Sequence, residues 1–200
     1  MAHSEVTIES EGSTMVQRTM VTMRLCLALT PMMLTLACGK EPTPVSHASV
    51  RINELSSSNH NYQDETGDTD DWIELMNLGD TAIDLTGYYI ADTANNRLKF
   101  EIGSGNTIEP GGLLLLWADG QKEQGSNHLT FKFSSEGDGA CVSNPQGYVL
   151  DCIRFSAIPS NDAGEDASLA RFPDGTGAFQ WCSQSSPEEL NGARCGGTSL

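Results

Sequence analysis

The stretch that decides the fold is D-W-I-E-L-M-N-L-G-D-T-A-I-D-L-T-G-Y-Y-I-A-D, residues 71–92. Apolar and polar residues alternate at its start, so Ile73 and Leu75 should face one side of a strand and Trp72 and Glu74 the other. The turn signal Leu78-Gly79-Asp80 separates this strand from a second apolar segment. Two short strands joined by a turn are typical of an antiparallel, all-β domain.

The same pattern continues in both directions along the chain. Short alternating segments recur between turn residues, and no window has a sustained 3.6-residue period, so we predict many strands and few helices. On the strand at 148–155 we expect Val149, Ile153 and Phe155 to share a face. The predicted strands are 49–55, 71–77, 83–91, 97–101, 113–118, 129–133, 140–143, 148–155, 168–172 and 178–182.

The N-terminal segment has the features of an export signal. One basic residue, Arg24, precedes an apolar run that ends at Ala37-Cys38. The run is shorter than the roughly 20 residues of a membrane-spanning helix but suits the hydrophobic region of a signal peptide. The Ala-Cys ending resembles the lipobox of bacterial lipoproteins, which implies that Cys38 is acylated and becomes the new N-terminus. An unlipidated signal peptide and an uncleaved anchor are the alternatives.

These features predict the domain organisation. Residues 1–37 form the signal peptide, and within it residues 1–19 are polar and acidic, as expected of a start-site extension. Residues 38–48 contain two prolines and read as a lipid-anchored tether. Residues 49–195 form the folded domain, and 196–200 form a short tail. The predicted location is the bacterial cell envelope, as an outer-membrane lipoprotein or at the cell surface.

Five segments, in the same order, resemble a known family, the lamin tail domain of bacterial type. The resemblance implies an immunoglobulin-like β-sandwich and a noncatalytic module, but not a ligand. The segments are V-R-I-N-E-L-S-S-S-N at 50–59, the stretch at 71–92, I-E-P-G-G-L-L-L-L-W-A at 108–118, F-K-F-S-S-E-G-D at 131–138 and S-L-A-R-F-P-D-G-T-G-A-F-Q-W at 168–181.

Four cysteines in the last third of the chain predict two disulfides, because even numbers of cysteines in exported domains usually pair. Cys141 and Cys152 flank the turn at 144–147, which predicts one pair. Cys182 and Cys195 enclose a mostly polar segment with little apolar content to hold it down, which predicts the other. A four-cysteine zinc site is the alternative, and the absence of any C-x-x-C spacing opposes it.

Charge and motifs restrict the possible functions. The chain has 11 Lys and Arg against 27 Asp and Glu, and loss of residues 1–37 leaves 9 against 24, a net charge of −15. Nucleic acid is therefore not an expected partner. The sequence contains no nucleophile elbow, P-loop, zinc-protease motif or dinucleotide fingerprint, so we predict no enzyme. His60 and His128 are interpreted as exposed turn residues, and Glu54 and Glu74 as neighbours on adjacent strands that bind backbone amides or arginine.

The acidic loop D-E-T-G-D-T-D-D at 64–71 is the main local anomaly. Its carboxylates could present oxygens to Ca²⁺, but their spacing does not match a regular calcium loop. A solvated acidic loop without a cofactor is the interpretation that we favour. The candidate calcium ligands are Asp64, Asp68, Asp70 and Asp71.

Taken together, the sequence predicts a noncatalytic interaction, adhesion or scaffolding module that is lipid-anchored outside the cytoplasm. Its ligand would be a protein or a polysaccharide. One alternative is an accessory subunit that targets a secreted hydrolase. Another is a calcium-dependent binding module that uses the loop at 64–71.

Overall fold

The computed structural model describes residues 49–157, 166–192 and 195. The predicted signal peptide, the whole tether with Cys38, and the short tail lie outside these residues. The described part contains a short 3₁₀ helix, Ala94–Asn96, and no helix long and apolar enough to cross a membrane. Its strands are β1 (Val50–Ser56), β2 (Asp71–Asn77), β3 (Ile83–Asp84), β4 (Tyr89–Ala91), β5 (Phe100–Glu101), β6 (Thr107–Ile108), β7 (Leu113–Ala118), β8 (Gly137–Ser143), β9 (Val149–Ser156), β10 (Ser168–Phe172) and β11 (Ala178–Cys182).

The strands form two main sheets and one small one. The order β11-β10-β1-β2-β7 makes a five-stranded sheet, and β5-β4-β8-β9 makes a four-stranded sheet. The strands β3 and β6 pair separately, and all the strand pairs are antiparallel. The predicted all-β, immunoglobulin-like β-sandwich is confirmed.

The main core lies between the two larger sheets. Ile73 and Leu75 of β2 are fully buried and pack in one cluster with Ile90 of β4 and Val142 of β8. Trp72 faces the opposite side of β2 and packs with residues of β7. The alternation in the sequence therefore identified both faces of β2, because successive side chains of a strand point to opposite sides of the sheet.

The predicted strand at 83–91 is divided in two by a turn. The amide of Thr86 donates to Asp84 Oδ1 at 2.9 Å, the amide of Tyr88 donates to the carbonyl of Leu85, and Gly87 has a φ of 78°. The chain thus turns after β3, which pairs with β6, before β4 joins β8. The prediction of one long strand was wrong, because the apolar pattern continues through a turn that the Asp-Leu-Thr-Gly sequence forms.

The prediction of a strand at 129–133 was also wrong. This stretch has no strand ladder and is joined to β7 and the residues after it by two isolated bridges, Trp117 with His128 and Asp119 with Lys132. Its alternating residues Leu129, Phe131 and Phe133 are nevertheless buried in the main core. The alternation in this stretch therefore reflects burial of one side of the chain. It does not indicate a strand of a sheet. Two further predicted strands differ clearly in length. The strand predicted at 97–101 is reduced to β5, and the strand predicted at 140–143 is extended to β8.

A bulge changes the predicted face of β9. The register with β8 shifts between Val142 and Ser143, whose partners are Asp151 and Val149, so that Leu150 has no partner. Leu150 packs against the main core and Val149 is exposed, contrary to the prediction, while Ile153 and Phe155 share the core face as expected. One extra residue in a strand reverses the alternation beyond it.

Two disulfides join the four cysteines. Cys141 and Cys152 are cross-strand partners in β8 and β9, and their Sγ atoms are bonded. Cys182, at the end of β11, is bonded to Cys195. The structure thus supports both of the predicted pairings.

Candidate functional site

Glu54 and Glu74 form a buried carboxylate pair in the five-stranded sheet. They are cross-strand partners in β1 and β2, and neither is exposed. Glu54 accepts hydrogen bonds from the Ser186 amide at 3.0 Å, from Ser186 Oγ at 2.9 Å and from Ser168 Oγ. Glu74 accepts from the Glu188 amide at 2.6 Å and from Asn53 Nδ2 at 3.3 Å.

These bonds assign the pair a structural role. All four carboxylate oxygens accept hydrogen bonds from the protein, and the donors are backbone amides, hydroxyls and one side-chain amide. Burial raises the pKa of Glu74 to about 8 and also raises that of Glu54. The pair holds the segment after β11 against the sheet, in keeping with the expected binding of backbone amides.

The acidic loop is organised around Asp64. Its Oδ1 accepts from the amide of Thr66 at 2.8 Å, from Thr66 Oγ1 at 2.9 Å and from the amide of Asp68 at 2.9 Å. Burial acts to raise the pKa of Asp64, but the hydrogen bonds from Asp68 and Thr66 outweigh it and hold this pKa below its usual value. Asp64 is therefore ionised at neutral pH and fixes the shape of the loop.

Of the four candidate calcium ligands, only Asp64 and Asp70 belong to a group whose ligand atoms lie within 4.8 Å of one another. Asp70 Oδ1 accepts from Lys132 Nζ at 2.7 Å, and Asp71 Oδ2 accepts from the amide of Phe133 at 3.1 Å. Burial also raises the pKa of Asp71 to about 7. Among the described residues, one oxygen each of Asp64, Asp70 and Asp119 lies within 4.8 Å of the others, and Asp68 and Asp71 belong to no such group.

His128 is buried beside this loop, so its interpretation as an exposed turn residue was wrong. The reason is the path of the chain after β7. The amide of Trp117 donates to the carbonyl of Asn127, and the amide of Leu129 donates to the carbonyl of Trp117. This pairing places the imidazole inside the domain, where Nδ1 is hydrogen-bonded to the carboxylate of Asp119.

The second ring nitrogen of His128 faces the acidic loop. Nε2 lies 3.5 Å from Glu65 Oε2, and ligand atoms of Asp64, Glu65 and His128 lie within 4.8 Å of one another. The sequence did not identify Asp119 or His128 as candidates because both are far from the loop along the chain. The pairing of Asp71 with Ala118 between β2 and β7 brings Asp119 to the loop.

A shallow cleft next to His128 carries an aromatic pair. Tyr62 stacks on Trp117 with ring centroids 5.6 Å apart, and its hydroxyl donates to Glu188 Oε2 at 2.5 Å. The cleft has a volume of about 270 Å³, and Asp64, Glu65, Leu115 and Asn127 are among its other lining residues. Burial and the neighbouring Glu188 carboxylate raise the pKa of Tyr62, so its hydroxyl stays protonated as a donor.

Comparison with known proteins identifies the family. The family model of the lamin tail domain matches residues 43–157, which is more than half of the chain. The chain belongs to the lamin tail domain family. Lamin tail domains are immunoglobulin-like and are generally noncatalytic interaction modules. No curated protein and no solved structure matches the chain significantly.

The lamin tail domain of this chain exposes apolar side chains at the turn between β8 and β9. Tyr148 is 71% exposed, Leu98 49% and Val149 42%. A Cβ atom on Gly147 would lie 3.4 Å from Leu98, so Leu98 adjoins this turn. We call Leu98, Tyr148 and Val149 the hairpin-tip surface. Asn144 holds the turn in shape, because its Oδ1 accepts from the amides of Gln146 at 3.1 Å and Tyr148 at 2.8 Å.

Proposed function

We propose that this lamin tail domain is a noncatalytic binding module, displayed outside the cytoplasm on a lipid anchor at Cys38, and that it binds a protein partner of the envelope. The hairpin-tip surface is the observation that carries the proposal. It places three large apolar side chains together on the outside of the domain. Contiguous exposed apolar residues on a soluble domain mark sites of protein interaction.

The polar interior favours binding over catalysis. The one buried carboxylate pair that the sequence singled out is engaged in hydrogen bonds that hold the C-terminal segment. A catalytic carboxylate would need an oxygen within hydrogen-bond distance of a substrate. The functional surface is therefore expected among the exposed loops, which a rigid sandwich presents in fixed positions.

Two features support display outside the cytoplasm. The apolar run that ends at Ala37-Cys38 resembles a lipoprotein signal, and the domain contains two disulfides. Disulfides persist in oxidising compartments and are rare in the cytosol. Gly39, rather than an aspartate, follows Cys38, which favours the outer membrane in a host that has one.

Crosslinking on intact cells tests the proposal. Cells that produce the full chain are treated with a membrane-impermeant protein crosslinker, and adducts of the chain are identified by mass. Tyr148→Ser should remove at least nine-tenths of a specific adduct, because Tyr148 is the most exposed member of the hairpin-tip surface. Its folding should be unaffected, since an exposed side chain contributes little to the core.

Leu190→Ser is the matched control, because Leu190 is also an exposed apolar residue, 58% exposed, in the segment after β11. The control variant should keep the adduct. Equal adducts from the two variants would contradict the proposed surface. A ligand made of glycan would give no protein adduct with the unaltered chain, and this result would overturn the proposal of a protein partner.

A further inference from the structure

We propose that Asp64, Glu65 and His128 form a binding site for a divalent transition-metal ion of the Zn²⁺ type. Ligand atoms of these three residues lie within 4.8 Å of one another. Zinc binds oxygen and nitrogen at about 2.0–2.2 Å, so two ligand atoms on one ion are separated by roughly 4.4 Å at most. The Glu65 side chain is 69% exposed, and a small rotation can bring its oxygen into this range.

Asp64 supplies the strongest indication that a cation binds here. Asp64 is only 9% exposed, and its Oδ1 accepts hydrogen bonds from the amide and hydroxyl of Thr66 and from the amide of Asp68. Its Oδ2 is buried and has no hydrogen-bond partner within the described part of the chain. A buried oxygen of an ionised carboxylate is costly without a partner. A metal ion at Oδ2 would supply the missing interaction.

His128 is held in the orientation that a metal ligand requires. Nδ1 is hydrogen-bonded to the Asp119 carboxylate, and such an acceptor selects the tautomer that carries the imidazole proton on Nδ1. Nε2 then carries the lone pair, and it points to the side on which Glu65 Oε2 lies, 3.5 Å away. A carboxylate that binds the second nitrogen of a metal-ligating histidine is a common support of metal sites. Asp119 is thus a positioning residue of the site.

The alternative ligand group is less suited to a metal. It combines Asp64 with Asp70 and Asp119. Asp70 already accepts from Lys132 Nζ and from Gln121 Nε2, and Asp119 accepts from His128 and from the Gln121 amide. By comparison, Glu65 Oε2 and His128 Nε2 contact mainly each other. The nitrogen ligand of His128 also selects a transition metal over Ca²⁺, which prefers oxygen ligands alone.

Calorimetric titration of the metal-free full chain with ZnCl₂ tests the site, with the disulfides kept intact and the bound metal counted by elemental analysis. We expect one Zn²⁺ bound with an affinity that Glu65→Gln and His128→Gln each weaken at least tenfold. Asp119→Asn should weaken it by about 10- to 100-fold, the usual effect of losing the partner of a ligating histidine. Glu65 is exposed, so its variant remains informative even if the His128 variant fails to fold.

Two control variants match the ligands in chemistry. Glu123→Gln removes an exposed carboxylate outside the proposed site, and His60→Gln removes an exposed histidine. Both should bind Zn²⁺ like the unaltered chain. Equal affinities of Glu65→Gln and Glu123→Gln would overturn the site, as would the absence of Zn²⁺ binding to the unaltered chain. Tight Ca²⁺ binding that depends on Asp70 but not on Glu65 would assign the other ligand group and also overturn it.

Discussion

At the scale of single residues, burial of Glu74 makes the stability of the fold depend on pH. Its carboxylate lies in the interior, and burial raises its pKa from an ordinary value of 4.5 to about 8. A carboxyl group whose pKa is raised by folding contributes its full stability only below the unfolded pKa. That contribution is lost as the pH rises from the unfolded pKa through the folded pKa, because over this range the unfolded chain releases its proton while the native state still holds it.

We therefore predict that the free energy of unfolding falls between pH 5 and pH 8. Each unit of pKa shift corresponds to about 1.36 kcal/mol, so the loss attributable to Glu74 is a few kcal/mol. Glu74→Gln should make the unfolding free energy less dependent on pH over this range, since its amide cannot ionise. Urea denaturation at pH 5, 7 and 9 measures the effect, with the exposed Glu109→Gln as control. Parallel pH profiles for the two variants would refute the assignment.

The sequence predicted single residues well where local alternation decides their position. Ile73 and Leu75 face the core because a strand has a period of two. His128 and Val149 were placed incorrectly for reasons that lie elsewhere in the chain. His128 is buried by hydrogen bonds to β7, and Val149 is exposed because a bulge in the pairing with β8 shifts the alternation. Neither the pairing partner nor the bulge has a local signal.

At the scale of elements, strand content could be predicted, but strand pairing could not. The turn within 83–91 had a recognisable Asp-Leu-Thr-Gly sequence, yet the apolar residues around it dominated the pattern. The stretch at 129–133 is buried without belonging to a sheet. The strand β6 has only two residues, which is too short for any period to show. The proposed metal site illustrates the same limit, because only the register of β2 with β7 brings its positioning residue Asp119 to the acidic loop.

The segment after β11 is an element without regular structure that depends on a disulfide. Cys195 is bonded to Cys182, and between them the amides of Ser186 and Glu188 bind the buried carboxylates of Glu54 and Glu74. The double variant Cys182→Ser, Cys195→Ser should lower the free energy of unfolding by about 3 kcal/mol, the loop-closure value for a loop of this size. Hydrogen exchange should accelerate at the amides of Ser186 and Glu188 before the rest of the domain.

The other disulfide provides the matched control. Cys141 and Cys152 join two strands that their own ladder already holds together, so the double variant Cys141→Ser, Cys152→Ser should leave exchange at Ser186 and Glu188 unchanged. Unaltered exchange at these two amides without the Cys182–Cys195 bond would show that the carboxylates alone hold the segment.

At the scale of the whole molecule, the sandwich extends beyond the part of the chain that matches the family model. The match ends at residue 157, whereas β10 and β11 join the five-stranded sheet through the pairing of β10 with β1. Arg171 of β10 also binds Asp151 of β9 through both carboxylate oxygens, at 3.0 and 2.9 Å, and so connects the two large sheets. The last two strands are thus part of the structure that presents the loops.

Anchoring also concerns the whole chain, because the proposed anchor at Cys38 lies outside the strands of the sandwich. The first described strand, β1, begins at Val50, and eleven residues separate Cys38 from it. Such a tether, with prolines at 42 and 44, would extend the domain away from a membrane surface. One acyl chain binds a membrane only marginally, whereas two or more hold a protein stably, so the diacylated cysteine implied by the lipobox would suffice as the anchor.

We predict that Cys38 is acylated, because the thiol that ends the apolar run is the group that the lipid transfer requires. Cells fed a fatty-acid analogue should label the unaltered chain and not Cys38→Ser, and the unlabelled variant should be lost from the membrane fraction. Cys26→Ser is the matched control, since this cysteine lies within the apolar run and is removed with the signal peptide in the predicted processing. Labelling that survives Cys38→Ser but not Cys26→Ser would contradict the prediction and place the lipid on a retained signal segment. Equal labelling of both variants would show that neither thiol carries the lipid, and the domain would then need another route to the envelope.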